Sequence, residues 1–298
     1  MSLGTEWRGA GFLGIGAPRS GTTWLHLNLR SHPQLWLPPL KELHYWDILQ
    51  PSAKRDYPVR ETSVSLLRMY WTWKHYRAIA YQTLRGRATP SWAMRFAFGV
   101  RSDRWYTSLF PTDRLAGEIT PGYMLLPPHV IERIRGINPD LKAILLLRNP
   151  VSRAWSNVCH SLRRRVLTAS IDKLRAIVDS QGSLMRGDYV RTINNWRGVL
   201  GENNLFIGFY DDLVANPREL LRRILEFLGV DASDDRLPAC LDRKVNVSWK
   251  RELPEALVPH MYAQYIDQLR VLAPMLGGPV PNWLAKAEEA VAASSGTG

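Results

Sequence analysis

Between residues 16 and 23 the chain reads Gly-Ala-Pro-Arg-Ser-Gly-Thr-Thr. Two glycines at this spacing, followed by hydroxyl side chains, suit a loop whose backbone N–H groups surround an anion, provided a strand precedes it and a helix follows. The frame matches the nucleotide loop G-x-x-x-x-G-K-S/T except at the lysine. Thr22 stands there, and the cation has moved into the loop as Arg19. In ATP enzymes that lysine bridges the outer phosphates and the Ser/Thr helps to hold Mg²⁺. A second group, Arg148-Asn149-Pro150-Val151-Ser152-Arg153-Ala154-Trp155-Ser156, follows the most apolar run of the sequence. Asn149 suits a helix cap and Pro150 the first helical position. Arg148 is thereby left at a strand's carboxyl edge, where α/β sheets bind ligands. Ser156, about two turns into the helix, is within reach of the same ligand. A magnesium site would need an Asp at that edge, whereas Arg148 repels a metal and attracts a phosphate. The two groups together describe a metal-free nucleotide site, with one phosphate in the loop and another near Arg148.

These residues need a frame of strands and helices. Gly11–Gly16 reads as a short buried strand, Ala17–Gly21 as the loop and Thr22–Arg30 as a helix ended near His32-Pro33. Leu35–Leu37, Leu115–Ile119, Lys142–Leu147 and Leu205–Phe209 are further strands. Helices are expected over 61–84, 128–136, 150–165, 170–180 and 188–200, from Asn216-Pro217 through Leu228, and as one long element over 254–272. The Ala/Ser/Gly-rich tail after Ala285 is expected to fray. Continuous apolar strands alternating with helices indicate a parallel sheet covered on both faces. The expectation is a single α/β domain with a P-loop-like sheet and a helical insertion at about 50–105.

The chain has 298 residues, 45% hydrophobic and 22% charged, which excludes a disordered or fibrous protein. Its two cysteines, Cys159 and Cys240, cannot make a disulfide scaffold. No apolar run is long enough to span a membrane, and Met1–Ala10 lacks the apolar core of a signal peptide, so the expected compartment is the cytoplasm. The net charge is +12. Residues 51–110 carry eleven Lys and Arg against three acids, with twelve aromatic side chains among them. Such clustering suits an anionic partner more than an evenly charged surface.

The sequence GAPRSGTTWL (16–25) resembles the 5′-phosphosulfate loop of sulfotransferases that use 3′-phosphoadenosine 5′-phosphosulfate (PAPS), and LLLRNPVSRAWS (145–156) resembles their 3′-phosphate motif. KELHYWD (41–47) and GEITPGY (117–123) are similar to segments of the glycan-type branch, which includes heparan sulfate sulfotransferases and bacterial relatives. Phe227-Leu228-Gly229-Val230 and Pro281-Asn282-Trp283-Leu284 are similar to that branch as well. The resemblance covers about 10–50 and 105–285, and residues 51–104 have no counterpart in it.

The resemblance implies in-line transfer of a sulfuryl group from PAPS to an acceptor hydroxyl or amine, leaving adenosine 3′,5′-bisphosphate (PAP), without a metal. Pro18, Arg19, Ser20, Gly21, Thr22, Thr23 and Trp24 would hold the 5′ end of the donor, and Arg148 and Ser156 its 3′-phosphate. Many relatives carry Lys where this chain has Arg19. Lys41 would stand near donor and acceptor, the alternative being a surface lysine lying along apolar side chains. An unactivated hydroxyl benefits from a general base. Glu118 aligns with the catalytic glutamate of the branch, the alternative being a carboxylate paired with a local Arg such as Arg114. His44 is the second candidate for the base, or else a packed core histidine, and Glu42 is structural or acceptor-facing. Trp249-Lys250-Arg251 occupies the place of a basic loop that closes over the donor, but it lacks the usual glycine. Its Lys250 and Arg251 would then meet the 3′-phosphate or form a solvated pair, and Trp249 would stack on adenine. Arg163-Arg164-Arg165 is expected to cap the negative end of its helix, the alternative being contact with an anionic acceptor.

The acceptor is left open by the sequence. The basic and aromatic segment 51–110 suits a sugar or aryl group flanked by anions, a membrane-interface helix, or a lid whose tryptophans mostly pack on the core. Nucleic acid is not expected as a partner. Two other function classes share the features: an ATP-type small-molecule kinase, which would need a magnesium carboxylate and the absent loop lysine, and a non-catalytic nucleotide- or polyanion-binding protein.

Overall fold

The computed structural model describes residues 9–48, 76–238, 241 and 251–295. Five strands, β1 (Phe12–Gly16), β2 (Leu35–Trp36), β3 (Leu115–Ile119), β4 (Lys142–Leu147) and β5 (Leu205–Phe209), form one sheet in the order β2-β3-β1-β4-β5. Every pairing is parallel, with Leu13 opposite Glu118 and Ala143, and Leu147 opposite Phe209. Side chains alternate between the two faces of each strand. Leu13, Ile15, Leu145 and Leu147 enter one core with Ile131, Ala154, Val158 and Trp196. Phe12, Ile144 and Leu146 enter the other with Leu25, Leu29, Leu221 and Ile224. The sheet is therefore covered on both faces, as its unbroken apolar strands require. All five strands run the same way, so β1, β3 and β4 end on one edge of the sheet, and Arg19, Glu118 and Arg148 lie there.

Local chemistry explains the flanking helices. Asn149 accepts from the Ser152 N–H at 3.1 Å and Pro150 begins the helix Pro150–Leu162. That helix stops three residues before the expected end, because Arg163 turns to φ 51° and the chain continues as a 3₁₀ segment, Arg163–Leu167. Of the helical insertion expected at about 50–105, residues 76–84, Pro90–Phe98 and Asp103–Thr107 are helical, whereas 49–75 lie outside the described residues. Its described tryptophans pack rather than face solvent. Trp92 and Trp105 are buried, with their ring N–H groups donated to the carbonyls of Leu109 and Arg95 at 2.9 and 2.8 Å. Arg101 lies over the Trp105 ring at 3.8 Å.

The carboxyl-terminal part departs from expectation. The long helix expected at 254–272 is divided into Glu255–Leu257 (3₁₀), Val258–Ala263 and Ile266–Leu276. The tail expected to fray is the helix Val280–Ser295, started after the left-handed pair Gly277-Gly278. Trp283 and Ala287, four residues apart and so on one face, are both buried in the core. The alanines read as a frayed tail are strong helix formers whose small side chains allow close packing. No described helix is long and apolar enough to cross a membrane.

Candidate active site

The loop after β1 folds as the anion frame requires. Gly21, at φ 95°, caps the helix Thr22–Ser31 without a side-chain acceptor, and that helix has no acid in its first turn. A left-handed cap is the conformation glycine adopts without steric cost. Ser20 is fully buried and its hydroxyl has no partner among the described residues. The helix therefore presents N–H groups and a positive dipole end uncompensated by local acid.

Arg148 joins this loop from the end of β4. Its guanidinium donates to the Arg19 carbonyl at 3.1 Å and lies over the Tyr210 ring at 4.4 Å. The Tyr189 hydroxyl donates to the Arg148 carbonyl at 2.8 Å. The Arg19 Nε donates to the Ser156 hydroxyl at 3.2 Å. Burial and the charge of Arg148 both hold Arg19 below its ordinary pKa. Among the described residues no carboxylate pairs with Arg148. Two neighbouring arginines and a helix start without a side-chain cap thus converge from motifs about 130 residues apart in sequence.

Other residues expected at the donor site are placed differently. The Trp24 side chain is buried in the core and donates to the Leu241 carbonyl at 3.1 Å, so only its backbone faces the loop side. Arg251 donates to the Val166 and Ala169 carbonyls at 2.6 and 3.2 Å, closing the turn after Leu162 rather than joining Arg148. Trp249 and Lys250 lie outside the described residues. Pro18, Thr22 and Thr23 lie in the loop and first turn as expected.

Residues 41–47 form a compact charged cluster. Lys41 Nζ donates to Glu42 Oε1 at 2.7 Å, His44 Nε2 lies 3.3 Å from Glu42 Oε2, and His44 Nδ1 lies 2.8 Å from Asp47 Oδ2. Burial opposes charge on His44, but the hydrogen bonds and charges of Asp47 and Glu42 outweigh it and raise its pKa to about 10. Burial pushes Glu42 up, and the bonds from His44 and Lys41 bring it down to about 2. His44 is thus a cation between two carboxylates. Glu42 and His44 have φ of 67° and 53°. Non-glycine residues in this region cost on the order of 1 kcal/mol each, so surrounding contacts must hold them there. Gly122 leaves room for the cluster, since a Cβ there would strike the Asp47 carboxylate.

Glu118 lies behind this cluster and is only 1% exposed. Its Oε1 accepts from the hydroxyls of Tyr106 and Tyr123 at 2.6 and 2.9 Å. Its Oε2 accepts from the Thr120 hydroxyl at 2.7 Å and the Leu43 N–H at 3.2 Å. Burial raises its pKa and these four donors oppose the rise. The alternative pairing with Arg114 does not occur, as Arg114 bonds Asp113 instead.

Two side chains at this edge carried no strong signal in the sequence. His26, one turn into the helix after the loop, is buried with Nδ1 unpartnered among the described residues. Burial, then the charges of Lys41 and Arg30, lower its pKa to about 3. It therefore lies close enough to Lys41 and Glu42 to feel their charge, about 6 Å of helix rise from Thr22. Asp47 was visible only as the last letter of a motif.

The family model described as "Sulfotransferase family" matches residues 12–234. The chain belongs to the sulfotransferase family. Mouse heparan sulfate glucosamine 3-O-sulfotransferase 6 is 30% identical over 138 residues, covering 42% of this chain and 39% of the relative. Mouse carbohydrate sulfotransferase 15 is 22% identical over 82% of this chain and 48% of its own length. The chain thus spans about one third to one half of the length of the curated relatives it matches. The sulfotransferase from Alicyclobacillus acidocaldarius has a TM-score of 0.59, with 92% of this chain and 98% of that one covered at 20% identity. The sulfotransferase domain from the curacin biosynthetic pathway has a TM-score of 0.50 at 22% identity, with 76% of each chain covered. These two share the sulfotransferase fold with this chain. Among the described residues no group of three or more His, Cys, Asp and Glu side chains is arranged to hold a metal.

Proposed function

We propose that this protein transfers the sulfuryl group of PAPS to a hydroxyl of an anionic acceptor. The observation that carries the reading is the Arg19–Arg148 pair at the loop, linked through the Arg19 carbonyl and flanked by Ser156. The charge of Arg148 reaches Arg19 and, after burial, lowers its pKa, so the two cations together favour an anion beside them. A donor with separate 5′ and 3′ phosphates supplies two.

The donor brings an electrophilic sulfur and a leaving bisphosphate. The loop N–H groups with Ser20, Thr22 and Thr23 take its 5′-phosphate, and Arg148 with Ser156 takes its 3′-phosphate. Arg19 and Lys41 stabilise the charge that grows on the leaving oxygen as its bond to sulfur breaks. The acceptor oxygen forms the new bond to sulfur and its proton passes to a carboxylate. Glu118, the base expected from sequence, suits this role poorly because all its hydrogen bonds are made inside the protein. Glu42 suits it better, being 38% exposed and already ionised beside Lys41. By analogy with loose phosphoryl transfer, the acceptor proton becomes acidic as the new bond forms, so a weakly basic carboxylate suffices. His44 then acts as the cation that orients Glu42, and Asp47 holds His44.

The acceptor reading rests on positive charge beyond Glu42. Lys41 and Arg30 both act on His26, and Arg87 of the insertion acts on Arg30. These cations lead from the reacting carboxylate toward the insertion, which favours an acceptor carrying anionic groups. The relatives named for heparan sulfate glucosamine and for carbohydrate add weight to an anionic sugar. The kinase alternative has neither the loop lysine nor a carboxylate at the end of β4.

The test is calorimetric titration of the wild-type protein with PAP and with ADP, each with and without Mg²⁺. Tight, metal-independent binding of PAP with weak binding of ADP is expected. Sulfation of a heparan sulfate oligosaccharide from labelled PAPS then tests the acceptor class. Equal binding of ADP, or a requirement for Mg²⁺, would replace the sulfotransferase reading with the kinase one.

A further inference from the structure

Glu118 is a buried carboxylate that the proposed chemistry leaves without a role. Its four donors come from three separate stretches of chain. Tyr106 belongs to the helix Asp103–Thr107 that closes the insertion, Leu43 lies in the charged segment, and Thr120 and Tyr123 lie in the turn after β3. The bond from Leu43 matters because Leu43 lies between Glu42 and His44, both held at positive φ. Beyond His44, the Tyr45 N–H donates to the Tyr123 hydroxyl at 3.0 Å, and that hydroxyl donates in turn to Glu118 at 2.9 Å. The amides on both sides of His44 are therefore anchored on one carboxylate, directly on one side and through a phenol on the other.

We infer that Glu118 is a positioning residue, holding the Glu42–His44 backbone in its left-handed conformation, and that Tyr106 makes the insertion part of that support. A carboxylate suits the position because it offers several acceptor lone pairs and no competing donor. Its burial keeps water from replacing the four bonds. The Tyr45 hydroxyl reinforces the same joint, donating to Asp103 at 2.7 Å, and Arg133 holds that aspartate at 2.7 and 2.9 Å. The insertion thus touches the reacting segment at Tyr106 and at Asp103, and a change in its packing is transmitted to Glu42 without any contact with the acceptor.

The inference depends on the sulfuryl-transfer reading for what Glu42 does, but not for how the segment is held. A suitable readout is therefore the titration of His44, which needs neither donor nor acceptor. The charged groups acting on His44 are Asp47 and Glu42 of its own segment, Lys41 bonds the other oxygen of Glu42, and Gly122 of the turn after β3 lies beside the His44 ring. Imidazole NMR on the full chain, with His44 assigned from a His44→Gln sample, would follow its midpoint in the wild type, Glu118→Gln, Tyr106→Phe and Tyr123→Phe. In the wild type the midpoint is expected far above the ordinary 6.5, since Asp47 and Glu42 push the His44 pKa up to about 10 against the opposing effect of burial. Glu118→Gln is expected to lower it by about two units or more as His44 loses its two carboxylates, with smaller falls in the tyrosine variants. PAP affinity should stay within about twofold of wild type in all of them. If Glu118→Gln does not fold, Tyr106→Phe and Tyr123→Phe carry the test. A His44 midpoint unmoved in the folded variants would overturn the positioning role. Failure of wild-type protein to bind PAP would instead remove the donor reading and leave the His44 result standing.

Discussion

Removing the Arg148 side chain tests the donor site at its most specific point. In Arg148→Ala the guanidinium that bonds the Arg19 carbonyl and lies over Tyr210 is lost, along with one of two adjacent cations. A charge-assisted hydrogen bond contributes about 1.5–3 kcal/mol, so a phosphate resting on Arg148 should bind about 10- to 150-fold more weakly. A second effect acts in the same direction. Burial and then the charge of Arg148 hold Arg19 below its ordinary pKa, and without Arg148 the free protein has less positive charge for an anion to neutralise.

Calorimetry with two ligands separates these contributions. PAP carries both phosphates, and adenosine 5′-monophosphate only the one assigned to the loop. Arg148→Ala should weaken PAP by roughly 10-fold or more while changing the monophosphate by less than about threefold. The PAP loss should shrink as salt is raised, since part of it is a partly exposed charge interaction. Equal losses for both ligands would mean that Arg148 supports the loop rather than the 3′-phosphate. No loss for either would refute the assignment of the second motif to the donor.

Glu42→Gln should lower turnover by about 10²- to 10⁴-fold with PAP affinity unchanged, and initial rates with saturating PAPS would check it; near-normal turnover would return the search for the base to its neighbours. Gly122→Ala should also lower turnover while sparing PAP binding, because the added Cβ meets the Asp47 carboxylate; rates paired with calorimetry test this. His26 gives a stability prediction. Its folded pKa is lowered from 6.5 to about 3, so the unfolded chain binds its proton first and stability falls as pH drops from 6.5 toward 3. The slope from this residue should approach 1.4 kcal/mol per pH unit, about the free energy of one pKa unit, and His26→Leu should flatten it in thermal unfolding measured across that range.

The legible parts of the sequence were those whose signals are local. Strands β3, β4 and β5 have the expected bounds, because the mostly apolar residues of each lie between strong breakers. The phosphate loop was legible because glycine, hydroxyl and proline positions fix its backbone within eight residues. The C-terminal helix was missed because its signal was read as composition: Ala and Ser suggest a frayed end, whereas Trp283 and Ala287 share one buried face only once a core is present to receive them.

The choice between two glutamates was not local at all. Glu118 lies near the end of β3, just before a Thr-Pro-Gly turn, a setting that suits an exposed acid at a sheet edge. It is buried because Tyr106 arrives from the insertion and Leu43 from the charged segment, and neither contact leaves a mark near residue 118. Glu42 sits beside a lysine and two residues before a histidine, a pattern common on ordinary surfaces. It acquires chemical meaning only from its left-handed backbone and from the His44–Asp47 pair behind it. One carboxylate was given its surroundings by residues remote in sequence, and the other was given its conformation by the first. That dependence is why the local sequence around either glutamate does not carry its role. It also requires that a perturbation at Glu118 be felt at Glu42, whereas a perturbation at Glu42 should leave the four bonds of Glu118 in place.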